Sequence, residues 1–154
     1  MRKLTVLFGI VVLLSVGCAG RRPLVGEPKG PKTVVFLSDG TAFRDAVVAH
    51  VSDWLRDSGY LVVLADKGSR KYYRAASYGA VVYVAEYWAW HTPRHAIRYW
   101  KKNGRARNIV FFITAGDPDL AINAPFDAVT TPSRDDRIVP AALELRTRLE
   151  ALLR

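Results

Sequence analysis

Four short apolar runs recur along the chain after residue 32, and each has the length of one β-strand. They occupy residues 33–37, 61–65, 80–85 and 108–114. Strands that are apolar throughout, without alternating polar positions, are typical of a parallel sheet buried on both faces. The pattern therefore predicts four buried parallel strands, and residues 128–130 have the composition of a short fifth strand.

Helical periodicity fills two of the intervals between these runs and the last part of the chain. In the first interval, apolar residues recur every three or four positions from Phe43 to Leu55, and Arg44 is among the charged residues expected to face solvent. A second helix is expected to open at Pro93 with Thr92 as its cap, and a last helix near Pro140. Residues 68–77 leave room only for a short or irregular helix.

Strands that alternate with helices predict an α/β domain in which helices cover both faces of a parallel sheet. A length of 154 residues suits one such domain. Hydrophobic residues make up 50% of the chain and charged residues 24%, which excludes a disordered or collagen-like protein. Residues 115–139 form a long connection and are therefore a candidate functional loop.

The first residues have a different pattern. Arg2 and Lys3 precede an apolar run at residues 4–14, which is too short to cross a bilayer and is typical of a cleaved export signal. The small residues before Cys18 resemble a bacterial lipoprotein signal, which implies a lipid on Cys18 and, with Ala19 next, the outer membrane of a Gram-negative envelope. The alternative is an ordinary export signal with an incidental Cys18.

This interpretation divides the chain into three parts. Residues 1–17 are the signal peptide, residues 18–32 are a Pro- and Gly-rich tether, and residues 33–154 are the folded domain. Since Cys18 is the single cysteine, the chain has no internal disulfide and no site built from several thiolates.

A strong positive charge narrows the choice of partners. The chain has 23 basic and 14 acidic residues and a charge of +9, which becomes +7 when Arg2 and Lys3 leave with the signal. Export argues against nucleic acid as a partner, and the chain carries no zinc-finger or RNA-binding motif. The membrane, reached through lipid on Cys18, and an acidic protein or anionic lipid remain. A second interpretation is that the charge only keeps the surface soluble.

Three segments resemble the flavodoxin family, including its relatives that oxidise protoporphyrinogen. They are VVFLSDGTAFRDAVVAHVSDWL at residues 34–55, the aromatic segment EYWAWH at residues 86–91 and FFITAGD at residues 111–117. The likeness covers about residues 33–120. It implies a flavodoxin-like three-layer sandwich with a parallel sheet of four or five strands in the order 2-1-3-4-5, and FMN as the cofactor of electron transfer.

In that family, the loop after the first strand wraps the FMN phosphate with backbone N–H groups and hydroxyls at a helix N-terminus. The resemblance places Ser38, Asp39, Gly40 and Thr41 in this role, although the loop is about two residues shorter than is usual in the family. The alternative is a tight turn in which Ser38 or Asp39 simply caps the first helix.

Two further loops of the family contact the isoalloxazine ring. The resemblance assigns them Glu86, Tyr87, Trp88, Trp90, Gly116 and Asp117. The aromatic side chains suit stacking on a flavin, but they suit equally well the filling of a vacated pocket. Gly116 and Asp117 are also ordinary turn residues.

Other chemistry is weakly indicated. His91 and His95 stand four residues apart but lack an evident third ligand, so no metal site is predicted. Motifs for nucleophilic catalysis or nucleotide binding are absent from the sequence, and whether the protein is an enzyme stays open. Two hypotheses follow: a membrane-anchored domain that uses FMN for electron transfer, or a cofactor-free domain of the same fold that serves as an envelope binding or assembly module.

Overall fold

A computed structural model describes residues 27–87, 91, 93–116 and 124–154. The signal segment, Cys18, Trp88, Trp90, Thr92 and Asp117 lie outside the described residues. What the sequence predicts for these positions stays a prediction.

Strands and helices alternate as the apolar pattern predicts. The strands are β1 (Gly30–Ser38), β2 (Leu61–Asp66), β3 (Tyr78–Glu86), β4 (Ile109–Ala115) and β5 (Ala128–Pro132). The α-helices are α1 (Ala42–Asp57), α2 (Arg94–Lys102) and α3 (Ile138–Leu153). Short 3₁₀ helices at Lys67–Tyr72 and Ala75–Ser77 make the crossover from β2 to β3, and a third at Asp135–Arg137 precedes α3.

All five strands run parallel in one sheet with the order β2-β1-β3-β4-β5, which confirms the predicted fold class and strand order. The first strand lies inside the sheet, since Val35 aligns with Val63 of β2 on one side and with Val81 of β3 on the other. Its apolar run is almost completely buried, as a strand covered on both faces requires.

Helices cover the two faces of the sheet and form two hydrophobic cores. On one face, Phe36 and Val82 pack with Leu55 of α1 and Leu145 of α3. On the other face, Tyr83 and other strand residues pack with α2 and with the crossover between β2 and β3. The protein is therefore a three-layer α/β sandwich. Among the described residues, no helix is both long and apolar enough to span a bilayer.

The helix boundaries differ from the predictions in two small ways. Pro93 precedes α2 without a side-chain hydrogen bond to cap it, and the helix begins at Arg94. The last helix begins at Ile138, shortly before Pro140, because proline is tolerated in the first turn of a helix, where its missing N–H would have no partner.

The expectation that Arg44 faces solvent is wrong. Its side chain is only 4% exposed. The buried face of α1 includes Val47, Val48, Val51 and Leu55, so that Arg44 continues this apolar stripe by one turn toward the start of the helix. A full positive charge therefore lies where the sequence pattern alone would place an apolar residue.

Candidate functional site

The carboxyl ends of the parallel strands form one edge of the sheet, here called the carboxyl edge. Ser38 aligns with Asp66, and Glu86 aligns with Thr114, so the loops that follow these strands lie side by side. The connections from neighbouring strands β1 and β3 lead to opposite faces of the sheet. In open α/β sheets, ligands bind in the crevice at such a reversal.

The loop after β1 is a tight turn stabilised by its own side chains. The Ser38 Oγ accepts a hydrogen bond from the Gly40 N–H at 3.2 Å. Gly40 has φ +66°, a left-handed conformation that favours glycine. The Thr41 Oγ1 then caps α1 by accepting from the Arg44 N–H at 3.4 Å. The helix cap is thus Thr41, and not Ser38 or Asp39 as the turn alternative proposed.

Arg44 connects this loop to the end of β3. Its Nε donates to the Thr41 Oγ1 at 3.1 Å. Its Nη1 lies 3.6 Å from the Asp39 Oδ1 and 3.7 Å from the Glu86 Oε2. These are ion-pair distances, longer than a hydrogen bond, and the buried Nη1 has no hydrogen-bond partner. One guanidinium therefore lies between carboxylates from two neighbouring loops.

Lys67 completes this group of residues, here called the Arg44 cluster (Thr41, Arg44, Asp39, Glu86 and Lys67). The Lys67 Nζ donates to the Asp39 Oδ2 from the start of the 3₁₀ helix after β2. Partial burial opposes ionisation of Asp39, but the hydrogen bond from Lys67 and the charges of Lys67 and Arg44 outweigh it. Together they hold the pKa of Asp39 below its ordinary value of 3.8. The cluster thus has two cations and two carboxylates.

Two neutral polar side chains lie nearby, on the α2 face of the sheet. Tyr83 of β3 is fully buried, and its ring centroid lies 6.1 Å from that of His95 on α2. Burial raises the pKa of Tyr83, while burial and the charges of Lys67 and Arg70 lower the pKa of His95. Both groups are therefore neutral at neutral pH. The Tyr83 hydroxyl and the His95 Nε2 are buried and, like the Arg44 Nη1, lack a hydrogen-bond partner.

The sequence-based site residues are only partly brought together. Ser38, Asp39, Gly40 and Thr41 form the turn at the carboxyl edge, and Glu86 joins them through Arg44. Tyr87 follows Glu86, donates its N–H to the Thr114 carbonyl at 2.7 Å and packs against the core on the α2 face. Gly116 is exposed at the end of β4.

Three residues of this region, Arg44, Lys67 and Tyr83, were not identified as site residues from the sequence. His95 was considered there only as a metal ligand together with His91. The position of Arg44, four residues before Val48 and seven before Val51, is a signal that would have placed it on the buried face. In the described part of the chain, no group of three or more His, Cys, Asp or Glu side chains is close enough to hold a metal ion.

The turn after β1 does not suit the phosphate of FMN. A phosphate group requires free N–H groups, hydroxyls and net positive charge. Here the Gly40 and Arg44 N–H groups donate hydrogen bonds to the side chains of Ser38 and Thr41. The positive charges of Arg44 and Lys67 are balanced by the carboxylates of Asp39 and Glu86. Asp39, moreover, adds a negative charge to the turn itself.

Comparisons with known proteins agree with the fold. No protein-family model and no curated protein matches the chain. Among solved structures, the rubredoxin oxygen:oxidoreductase of the anaerobe Desulfovibrio gigas superimposes with a TM-score of 0.51 and 13% sequence identity. The match covers 80% of this chain and 35% of that one, so the chain spans about a third of that oxidoreductase. At this identity the likeness shows the fold alone, which is flavodoxin-like.

Because Arg44 is buried and Arg56 is exposed, replacing these two arginines of α1 should change the stability of the protein by different amounts. Arg44→Met should lower the free energy of unfolding by about 1–3 kcal/mol, because Asp39 and Glu86 lose their shared cation in a partly buried site. Urea unfolding of the purified chain measures the loss.

The control is Arg56→Met, which removes an exposed arginine paired with Asp53 near the other end of α1. That variant should stay within about 0.5 kcal/mol of the parent, as is usual for exposed ion pairs. Equal losses of unfolding free energy from the two substitutions would show that the ion pairs of Arg44 contribute no more to stability than an exposed pair does.

Proposed function

We propose that the chain is an exported, lipid-anchored flavodoxin-like domain that works without FMN, as a binding module of the cell envelope. The observation that carries the proposal is the Asp39 carboxylate, which lies in the turn after β1 and is paired with Lys67 and Arg44. The family uses this turn to hold phosphate.

A comparison of energies supports the proposal. At about 4 Å and an effective dielectric constant of about 20, each unit charge attracts or repels a phosphate charge by about 4 kcal/mol, so the two carboxylates of the Arg44 cluster cancel the attraction of its two cations. The N-terminus of α1 would then add only about 0.3–1 kcal/mol in favour of a phosphate. Direct contact with Arg44 or Lys67 would require the phosphate to displace Asp39.

We expect the partner of such a module to bind at the carboxyl edge, beside the Arg44 cluster. The Arg44 Nη1, the Tyr83 hydroxyl and the His95 Nε2 are buried without partners at or near the carboxyl edge. Buried polar groups without hydrogen bonds are costly, so the fold leaves polar atoms unsatisfied at this edge. The Arg44 cluster has two cations and two carboxylates and therefore no net charge, which suits an uncharged polar group better than a phosphate.

The second candidate is FMN binding for electron transfer. It is favoured by the flavodoxin-like fold and by the aromatic Tyr87, which follows β3 at the edge where the family contacts the flavin ring. In this case Asp39 would have to move aside or take up a proton to admit the phosphate.

Flavin titration separates the two candidates. The purified full chain should leave FMN fluorescence unquenched up to high micromolar concentration, because Asp39 and Glu86 cancel the positive charge that the phosphate needs. Asp39→Asn removes this charge and frees Arg44 and Lys67, so it should strengthen FMN binding at least tenfold. Riboflavin, which has no phosphate, should gain nothing from the same substitution.

Asp53→Asn is the matched control, since it removes an exposed carboxylate from the far part of α1. This variant should behave as the parent chain. Saturable quenching of FMN by the parent chain at micromolar concentration would contradict the cofactor-free proposal and support electron transfer.

The anchor is tested separately by substitution of Cys18. Cys18→Ser removes the thiol that would carry the lipid, so the protein should leave the membrane fraction or remain unprocessed. Fractionation of cells and the mass of the mature protein measure both effects. Normal processing and unchanged membrane attachment in this variant would reject the lipoprotein assignment.

A further inference from the structure

The chain enters the domain at the amino edge of the sheet, opposite the carboxyl edge, because β1 begins there at Gly30. Glu27 is held at this edge by the Tyr73 hydroxyl, which donates to its Oε2 at 2.9 Å. The carbonyl of Tyr73 in turn accepts a hydrogen bond from the Tyr99 hydroxyl of α2 at 2.6 Å. The tether therefore leaves the domain beside the C-terminal part of α2.

The same end of α2 leads into a turn rich in cations, here called the basic turn (residues 101–107). Its cationic side chains are those of Lys101, Lys102, Arg105 and Arg107. The backbone of this turn is fixed, since the Asn103 Oδ1 accepts from the Ala75 N–H at 2.8 Å. Just after it, the Asn108 Nδ2 donates to the Ala75 and Tyr78 carbonyls.

All four cations of the basic turn are exposed, and none forms an ion pair with a carboxylate in the part of the chain that the structure describes. Arg105 has φ +58°, an unusual conformation for a residue with a side chain. Its guanidinium lies 5.4 Å from the centre of the Trp100 ring. A cation over a tryptophan ring is attracted by it, and tryptophan is enriched at membrane interfaces, where one part of a side chain is apolar and the other is wet.

Next to the basic turn lies an open groove of about 480 Å³, between the amino ends of β4 and β5 and the last turn of α3. Arg107 and Arg148 border it, and Ile109, Val129 and Leu152 line its apolar part. Arg148 is paired with Asp127, whereas Arg107 forms no ion pair within the described ranges. The cationic border suits the anionic headgroup of an amphiphile, and the apolar floor suits the start of its acyl chain.

The opposite edge carries exposed acidic side chains among exposed cations such as Arg94 and Arg134. Asp39, Asp45, Asp66 and Glu86 lie in or next to the loops at the carboxyl edge and are exposed. An anionic surface would therefore attract the basic turn, whose cations have no acidic partner among the described residues, more strongly than it attracts the mixed charges of the carboxyl edge. Residues 18–26 span at most about 30 Å even when fully extended, so a lipid on Cys18 keeps the amino edge near the bilayer.

From these contacts we infer that the basic turn docks on an anionic phospholipid surface, with Arg107 and the adjoining groove receiving a headgroup. The inference rests on the proposed lipid anchor at Cys18. Docking in this orientation turns the crevice with the Arg44 cluster away from the membrane, where a partner can reach it. The interaction is electrostatic and is screened by salt.

Lysine acylation of the full chain on vesicles tests the orientation. A water-soluble amine reagent is added to the lipidated chain on phosphatidylglycerol-rich or on phosphatidylcholine vesicles, and each lysine is measured by mass spectrometry. Lys101 and Lys102 should react several-fold more slowly on the anionic vesicles, and high salt should remove this protection. Lys67, paired with Asp39 at the carboxyl edge, is the internal reference and should not change.

Charge reversal identifies the residues responsible. Arg105→Glu combined with Arg107→Glu should abolish the protection of Lys101 and Lys102. The control is Arg94→Glu combined with Arg98→Glu, which changes the net charge by the same amount at exposed positions nearer the start of α2. Lys101 and Lys102 should remain protected in this control.

The outcomes distinguish the docking from the anchor. Equal reactivity of Lys101 and Lys102 on both kinds of vesicle, with the chain attached to both, would overturn the docking and leave the anchor intact. Attachment to the anionic vesicles but not to the phosphatidylcholine vesicles would reject the lipid anchor. Protection of Lys101 and Lys102 on the anionic vesicles would in that case still support docking through the basic turn. A chain that attaches to neither vesicle would contradict both.

Discussion

The arrangement of the carboxyl edge depends on how the charge of Arg44 is neutralised. A guanidinium cannot lose its proton at ordinary pH, and its burial on the inner face of α1 removes most of its hydration. Asp39 and Glu86 supply the compensating charge from the loops after β1 and β3. Asp39 in turn engages Lys67, so one buried arginine connects the ends of β1 and β3 to the crossover after β2.

This constraint explains why the turn after β1 is short and closed. The Thr41 Oγ1 accepts from both the N–H and the Nε of Arg44, which fixes the cap of α1 and the arginine side chain together. The partly exposed carboxylate of Asp39, which belongs to this turn, then pairs with Arg44, whose buried charge would otherwise be costly. In a flavodoxin-like sheet this turn is the place for an anion, and here a side chain of the protein supplies the anion.

The sequence was sufficient to predict a parallel sheet, because four of its strands are continuous apolar runs and each α-helix has its own periodicity, while the strand order followed from the resemblance to the flavodoxin family. It also located the turn at Ser38 to Thr41, since small and hydroxyl residues after a buried strand are typical of helix starts. It did not reveal Arg44, because its pairing with Asp39 and Glu86 depends on how two loops from non-consecutive strands meet. The unpartnered hydroxyl of Tyr83 was missed for the same reason, since the residue has the pattern of an ordinary strand position, and His95 was considered only as a metal ligand.

The pKa of the Asp39 carboxyl, measured by NMR titration of its side-chain carbon, tests the central claim most directly. If Lys67 and Arg44 hold this carboxylate in the turn, it should titrate below 3.8 in the parent chain and at a higher pH in Arg44→Met. The contribution of Asp39 to stability should then be complete at neutral pH. It should be lost as the pH falls through the lowered pKa of Asp39 in the folded protein. The account would be contradicted if the pKa of Asp39 were 3.8 or higher and did not change in Arg44→Met. Arg44 and Lys67 would then not be paired with this carboxylate.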